Sequence, residues 1–164
     1  MMSTEPYDLS NRFVVANGIR FHYSVDGDAD KPVLALVNPA SHNLTCWEPV
    51  LEDLLERFSI LRFDIRGTGK SGWGGVDEFT FSQYADDLAA IMDALDIDKA
   101  FCLGVAYGAR TAARFALRHA DRLTALGLFD VALTPPVEQI GQRALGRQAK
   151  ALLEQAGKPM VAMP

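Results

Sequence analysis

The residues best placed to do chemistry lie in the stretch AFCLGVAYGARTAARFA, at positions 100–116. At its centre are two glycines four residues apart, Gly104 and Gly108, with Ala106 midway between them. The spacing G-x-S-x-G holds a nucleophilic serine on a sharp turn between a strand and a helix. Here the serine position carries a methyl group, which has no atom able to attack a substrate. The pattern therefore predicts the turn of a nucleophile without the nucleophile.

The small residues around this turn have a steric reason. Residues two before and two after the nucleophile position must be small, because strand and helix nearly touch there, and Gly104 and Gly108 meet that need. The backbone N–H that follows the position can hydrogen-bond to a substrate oxygen. Tyr107 is therefore predicted to supply one of two oxyanion donors.

Three histidines and one aspartate are further candidates for chemistry. His22 lies in a predicted strand, and His119 lies at a predicted helix end, where a positive charge is favourable. His42 lies in a polar loop and either contacts a ligand or is simply solvated. Asp130 lies at the end of a predicted strand and is either a catalytic acid or a residue that caps its loop. The sequence has no metal-ligand cluster and no complete phosphate-binding loop, so no metal or cofactor is expected.

Composition argues against several classes of protein. The 164 residues are 49% hydrophobic and 23% charged, which favours a packed globular core. The net charge of -5 argues against nucleic acid and anionic membranes as partners. Cys46 and Cys102 do not make a disulfide framework, and we find no signal-peptide pattern and no apolar run of membrane length. The default expectation is a cytoplasmic protein.

Strand-like and helix-like segments alternate along the chain, which predicts an α/β fold with a mostly parallel, doubly wound sheet. A leading antiparallel hairpin is expected around Asn17-Gly18, because this pair tolerates the positive φ angles of a tight turn. Thr45 and Thr80 are expected to begin the first two helices in capping boxes, each with a Glu or Gln three residues later. The predicted strands are 33–37, 59–64, 100–105 and 124–130, and the predicted helices are 45–58, 80–97, 108–119 and 135–155.

Ligands of such a sheet bind outside the carboxyl ends of its strands. Three segments are predicted to meet there: NPASHN after strand 33–37, DIRGTGKS around the end of strand 59–64, and GVAYG at the end of strand 100–105.

These segments, in this order, resemble the first half of an α/β-hydrolase-fold protein. The similarity runs from about Phe13 to Asp130 and includes VLALVNPASHNLTCWEPVLEDLLERFSILRFDIRGTGKS, YADDLAAIMDALDI and KAFCLGVAYGARTAARFALRHADRLTALGLFD. The nearest similarity is to 3-oxoadipate enol-lactonases and related small-substrate esterases and C–C hydrolases, because an Asn-containing loop replaces the usual His-Gly. The resemblance implies a parent activity that hydrolyses an ester, lactone or C–C bond in a small substrate, without a cofactor.

The resemblance also implies roles for single residues. Ala106 takes the place of the nucleophile and Tyr107 that of the main oxyanion donor. The second donor is implied to be the backbone N–H of Ala40 or Ser41, since Pro39 has no N–H.

Around these donors, Asn38 and His42 are expected to line the substrate pocket. Residues 64–71 match the family's D-x-R-G-x-G-x-S loop, for which the resemblance implies a structural task beside the turn.

This chain is expected to lack serine-hydrolase turnover, because Ala106 is no nucleophile and no histidine follows His119 in the order Ser, acid, His. Three explanations stay open: a hydrolase whose serine was replaced, naturally or by design; a non-catalytic relative that binds a small ligand or a protein; and half of a domain completed by a second chain.

The domain organisation is expected to have three parts: a loose segment 1–11, the N-terminal part of a hydrolase core at 12–134, and the start of a lid or a partner-contact helix at 135–164. The segment GKPMVAMP either begins a further strand or continues the lid, so no later strand is certain to pair with strand 124–130. A homodimer, or a complementing C-terminal half, is therefore expected to pair along its edge, with residues 135–156 at the contact.

Overall fold

The structure is a computed structural model that describes residues 12–75, 78–131, 157 and 160–162. In this part of the chain, seven strands form one sheet, with three α-helices in the connections. The strands are β1 (Phe13–Ala16), β2 (Ile19–Asp26), β3 (Val33–Val37), β4 (Ser59–Phe63), β5 (Ala100–Val105), β6 (Leu123–Phe129) and β7 (Met160–Ala162). The helices are α1 (Glu48–Leu55), α2 (Phe81–Ala94) and α3 (Tyr107–Arg118), with a 3₁₀ turn at Leu44–Trp47 before α1 and another at Ala120–Arg122.

The strand order is β1-β2-β4-β3-β5-β6-β7. The first two strands form the expected antiparallel hairpin, whose turn residues Asn17 and Gly18 have φ values of 46° and 71°. Strand β2 is antiparallel to β4, and every later pair of neighbours is parallel. The predicted α/β class with a mostly parallel sheet and a leading hairpin is confirmed.

Side chains alternate between the two faces of the central strands, as the period of a strand requires. Ala35, Val37 and Leu61 join a core with α2 and α3, whereas Leu34 and Ile60 join a second core with α1. The carboxyl ends of β3, β4 and β5 therefore lie between two packed helical layers.

The helix starts agree with the sequence analysis only in part. Thr80 caps α2 by accepting a hydrogen bond from the N–H of Gln83 at 3.1 Å, as expected. The capping box at Thr45 is wrong: Asn43 caps the 3₁₀ turn instead, and α1 begins only at Glu48. The Asn43 carboxamide oxygen reaches both the N–H and the hydroxyl of Thr45, which a 3₁₀ start permits.

The expectation that β6 leaves an unpaired edge is also wrong. Strand β7 pairs with it in parallel, with Gly127 opposite Val161, so β6 is an interior strand. The dimer and the complementing half remain predictions, as do the three domain boundaries. Segment 135–156, expected at the contact, lies outside the described residues.

Candidate functional site

The turn between β5 and α3 has the backbone that the glycine spacing suggests. Ala106 has φ 51° and ψ −109°, a sparsely populated conformation for a residue with a side chain. Its N–H donates to the carbonyl of Phe129 at 2.9 Å, which ties the turn to the end of β6. The Ala106 conformation is therefore stabilised by a tertiary hydrogen bond to a neighbouring strand.

Gly104 and Gly108 are small because backbone lies against them. A methyl group on Gly104 would overlap the Gly108 carbonyl, and one on Gly108 would overlap the carbonyls of Val37 and Asn38. The strand, the helix and the loop after β3 therefore pack backbone against backbone at this point.

Tyr107 is the first residue of α3, so its N–H lies ahead of the intrahelical hydrogen bonds and at the positive end of the helix dipole. Its ring packs against Phe81, with the centroids 4.6 Å apart, and its hydroxyl donates to that of Tyr84 at 3.4 Å. Burial, followed by this contact, raises the pKa of Tyr84 well above its ordinary value. These aromatic contacts hold the start of α3 against the start of α2.

The loop after β3 lies beside this turn, because β3 and β5 are parallel neighbours with Val37 opposite Gly104. Ala40 and Ser41 are exposed, and Ser41 has a φ of 61°. Among the described residues, none accepts a hydrogen bond from the N–H of Ala40 or Ser41. The N–H groups of Tyr107 and of Ala40 and Ser41 thus all lie at the carboxyl end of the parallel strands.

His42 lies on this loop with its side chain exposed. Its Nδ1 is 2.7 Å from the carbonyl oxygen of Ala40, and its own N–H donates to Pro39 at 3.4 Å. A carbonyl only accepts, so Nδ1 is the donor of this hydrogen bond. The imidazole is therefore oriented by the loop's own backbone.

Asn38 is fully buried, and both ends of its amide are engaged within the protein. Its Nδ2 donates to the carbonyl of Phe63 at 2.9 Å, and its Oδ1 accepts from Trp47 Nε1 at 2.7 Å. The structure places this predicted pocket residue behind the loop.

The D-x-R-G-x-G-x-S loop is held by buried carboxylates. Asp64 accepts hydrogen bonds from the N–H groups of Leu44 and Lys70, at 2.7 and 2.9 Å. His22, which the sequence suggested to be an ordinary strand residue, places its Nδ1 2.8 Å from Asp64 and is 3% exposed. Spacing carries no signal of this pair, because the two residues are 42 positions apart.

Arg66 of the same loop makes a buried two-pronged ion pair with Asp87 of α2, at 2.7 Å for each hydrogen bond. Hydrogen bonding to Asp87 is the main reason that the pKa of Arg66 is raised.

Asp130 is exposed directly after β6 and has a φ of 48°. Because the preceding Phe129 accepts the hydrogen bond from Ala106, the end of β6 lies next to the turn. Asp130 is therefore the neighbour in sequence of Phe129, the residue that contacts the turn.

Neither cysteine offers a ready replacement for the absent serine. Burial raises the pKa of Cys46 to about 11 and that of Cys102 to about 12. Both thiols are therefore protonated at neutral pH, whereas the thiolate is the nucleophilic form.

A cleft is present at the opposite end of the strands, where β3 and β4 begin. Tyr23, Val33, Ser59, Ile97 and Lys99 are among the residues that line it. It shares no residue with the turn at Ala106 or the loop after β3. Among the described residues, no cluster of His, Cys, Asp and Glu could hold a metal ion, and no helix is long and apolar enough to cross a membrane.

Comparisons with known proteins bear on this geometry. The sequence model of a family described as alpha/beta hydrolase fold matches residues 38–156. A putative carbamate hydrolase RutD from Caulobacter vibrioides is 34% identical over 64% of this chain and 40% of its own length. The 3-oxoadipate enol-lactonase 2 of Acinetobacter baylyi is 27% identical over 66% of this chain and 40% of its own length.

Among solved structures, the enol-lactonase from Burkholderia xenovorans LB400 superposes with a TM-score of 0.68 at 32% identity. That match covers 71% of this chain and 45% of the lactonase. The chain thus spans less than half the length of each of these three proteins.

Proposed function

This chain belongs to the α/β-hydrolase fold family, and from that premise we propose that it binds a small carbonyl compound at the turn of Ala106 without forming a covalent intermediate. The observation that carries the proposal is the conformation of Ala106, which has the sharp turn of a nucleophile and a methyl group as its side chain. Ala106 thus lies where the family fold places a nucleophile, but its methyl side chain has no atom that can attack a carbonyl carbon.

The donors define how a ligand is held. A carbonyl or carboxylate oxygen above Ala106 accepts a hydrogen bond from the N–H of Tyr107, at the start of α3. A second hydrogen bond comes from Ala40 or Ser41, whose N–H groups no described residue accepts. Such pre-oriented donors stabilise negative charge on oxygen. Without a hydroxyl at position 106, no oxygen attacks the carbonyl carbon and the ester bond stays intact.

The ligand class follows from this geometry and from the relatives. Two of the relatives bear names of carbonyl chemistry, an enol-lactonase and a putative carbamate hydrolase. We propose a small ester, lactone, β-diketone or carboxylate as the ligand, with His42 beside it on the loop. Asp130 stays a candidate acid near the turn.

Intact-mass spectrometry after treatment with a fluorophosphonate probe tests the absence of covalent chemistry. The full chain is expected to keep its mass, and to hydrolyse p-nitrophenyl acetate no faster than a denatured sample. A serine esterase serves as the positive control. Stoichiometric labelling, or turnover well above the denatured sample, would refute the proposal.

The variant Ala106→Ser tests the position. A serine hydroxyl without a general base is a weak nucleophile, although oxyanion donors alone leave roughly 10³–10⁴-fold catalysis over water in a known protease. We therefore expect slow labelling of the new hydroxyl at position 106 and activity far below that of ordinary esterases. A rate equal to that of an active esterase would contradict the interpretation.

A further inference from the structure

The loop from Pro39 to Asn43 is fastened at both ends by buried side chains outside it. We infer that Asn38, Arg62 and Asp64 are positioning residues that set the Ala40 and Ser41 N–H groups for an oxygen ligand. The inference rests on the proposed function of these N–H groups. Asn38 precedes the loop, and the two charged residues lie at the carboxyl end of β4.

The first fastening is the amide of Asn38, which is fully buried. It joins the end of β4, through the carbonyl of Phe63, to the indole N–H of Trp47. The loop therefore leaves β3 in one direction, because a rotation of Asn38 would leave two buried polar groups unpaired.

The second fastening is at Leu44, directly after the loop. Its N–H donates to Asp64 Oδ1 at 2.7 Å, and its carbonyl accepts from Arg62 Nη1 at 3.3 Å. Both backbone groups of one residue are thus held by charged side chains two positions apart at the end of β4. Leu44 is itself fully buried, so water does not compete for these bonds.

The charges that hold Leu44 are themselves paired. Arg62 is fully buried, and its Nε and Nη2 lie 2.9 and 2.8 Å from Asp26 Oδ2 on β2. Asp64 also accepts a hydrogen bond from the backbone N–H of Lys70 in the glycine-rich loop and contacts His22 on β2. Removing one partner of a buried pair leaves an uncompensated charge, so these contacts are costly to break.

Between these fastenings the exposed part of the loop has few hydrogen bonds of its own. Within residues 39–42, His42 makes both of the described ones, to Ala40 and to Pro39. The placement of the two exposed N–H groups therefore depends on residues underneath the loop.

A first test uses the unaltered full chain, labelled with ¹⁵N, and needs no ligand. The Leu44 amide and the Trp47 indole N–H are expected to exchange with solvent at least about a hundredfold more slowly than the exposed His42 amide, because their hydrogen bonds are buried. Equal exchange rates would overturn the inference.

A second test titrates benzoate, as an oxygen-ligand probe, into variants and follows amide shifts. The double variant Arg62→Met with Asp26→Asn removes the donor to Leu44 without leaving an unpaired charge. The matched control, Arg66→Met with Asp87→Asn, removes a second buried Arg–Asp pair and touches neither fastening.

We expect the Kd for benzoate, read from the Ala40 and Ser41 amides, to rise about tenfold in the Arg62 variant, as for the loss of one charge-assisted hydrogen bond. The control is expected to change it by less than about twofold. Equal effects in both pairs would overturn the inference, since they would reflect general loss of packing.

Asn38→Leu removes the other fastening and is expected to weaken benzoate binding similarly, even if the double variant fails to fold. Unchanged affinity in a folded Asn38→Leu protein would also overturn the inference. If benzoate shifts none of the amides of Ala40, Ser41 and Tyr107 in the unaltered chain, the proposed function fails. The exchange rates of Leu44 and Trp47 still decide whether the loop is fastened.

Discussion

The turn at Ala106 and the loop from Pro39 to Asn43 lie at the same end of the parallel strands, but different interactions determine their conformations. The turn is set by backbone packing: Gly104 and Gly108 leave no room for a methyl group. The loop is set by hydrogen bonds and charges from buried side chains, and its own tip is exposed.

The two regions should therefore respond differently to substitution. Steric packing does not depend on the side chain at position 106 reacting, so the turn keeps its shape with alanine there. The loop is held by several separate hydrogen bonds, so a single substitution among its buried partners should alter the loop only in part.

Gly108→Ala should have the largest effect. The added methyl group would overlap the carbonyls of Val37 and Asn38, which cannot move without displacing β3. We expect the free energy of unfolding in urea to fall by more than about 3 kcal/mol, beyond the usual cost of overpacking.

The control for this substitution is Gly127→Ala on the neighbouring strand β6. There the nearest atom to an added methyl group is Leu103 Cγ, at 3.4 Å, which is ordinary contact. Similar losses in the two variants would show that the turn is not sterically set.

Trp47→Phe should have the next largest effect, because it removes the donor to Asn38 while keeping a ring in the core. Asn38 Oδ1 is then left with the weak thiol donor of Cys46 at 4.0 Å. Loss of the donor to a buried acceptor costs about 1–3 kcal/mol, measured as a shift in the urea midpoint. Trp73→Phe is the matched control, since Trp73 is 69% exposed. If both substitutions cost the same, the Asn38 fastening contributes nothing.

Asn43→Ala probes the cap where the loop enters the 3₁₀ turn. Loss of a side-chain cap costs about 1 kcal/mol. Thr80→Ala should cost a similar amount at the start of α2, but only Asn43→Ala should shift the NMR amide resonances of Ala40 and Ser41. Equal shifts from both variants would count against a separately fastened loop.

Asp86→Asn supplies a reference outside both regions and should have the smallest effect. Hydrogen bonds from Arg118, and then from His119, hold the pKa of Asp86 below its ordinary value. The ionised group is favoured in the folded state, so its contribution is present at neutral pH and is lost as the pH falls below about 4.

The Arg118 and Asp86 side chains are partly exposed, at 47% and 30%, so a cost below about 1 kcal/mol at neutral pH is expected. Unfolding of the parent and the variant should be compared between about pH 3 and pH 7, on either side of the ordinary pKa of a carboxyl group. A difference that grows on acidification would contradict the assigned direction.

Local patterns in the sequence were enough to predict much of the fold. The glycines at 104 and 108, the Asn17-Gly18 turn and the apolar run at 33–37 each act through residues close in sequence, so spacing reveals them. The same holds for the cap at Thr80. The cap at Asn43 was not predicted, because the capping-box pattern selects Thr45, which Glu48 follows three residues later, whereas Cys46 stands three residues after Asn43.

For the candidate site, residue types and spacing predict at which end of the strands the turn lies and that alanine occupies the nucleophile position. Four features of the site and sheet depend on the tertiary structure: Asn38 is buried beneath the loop, His22 contacts Asp64, Arg62 donates to Leu44, and β7 pairs with β6. Those contacts join residues that are distant in sequence or lie on neighbouring strands, and which side chains meet there depends on strand order and register, which local spacing does not encode.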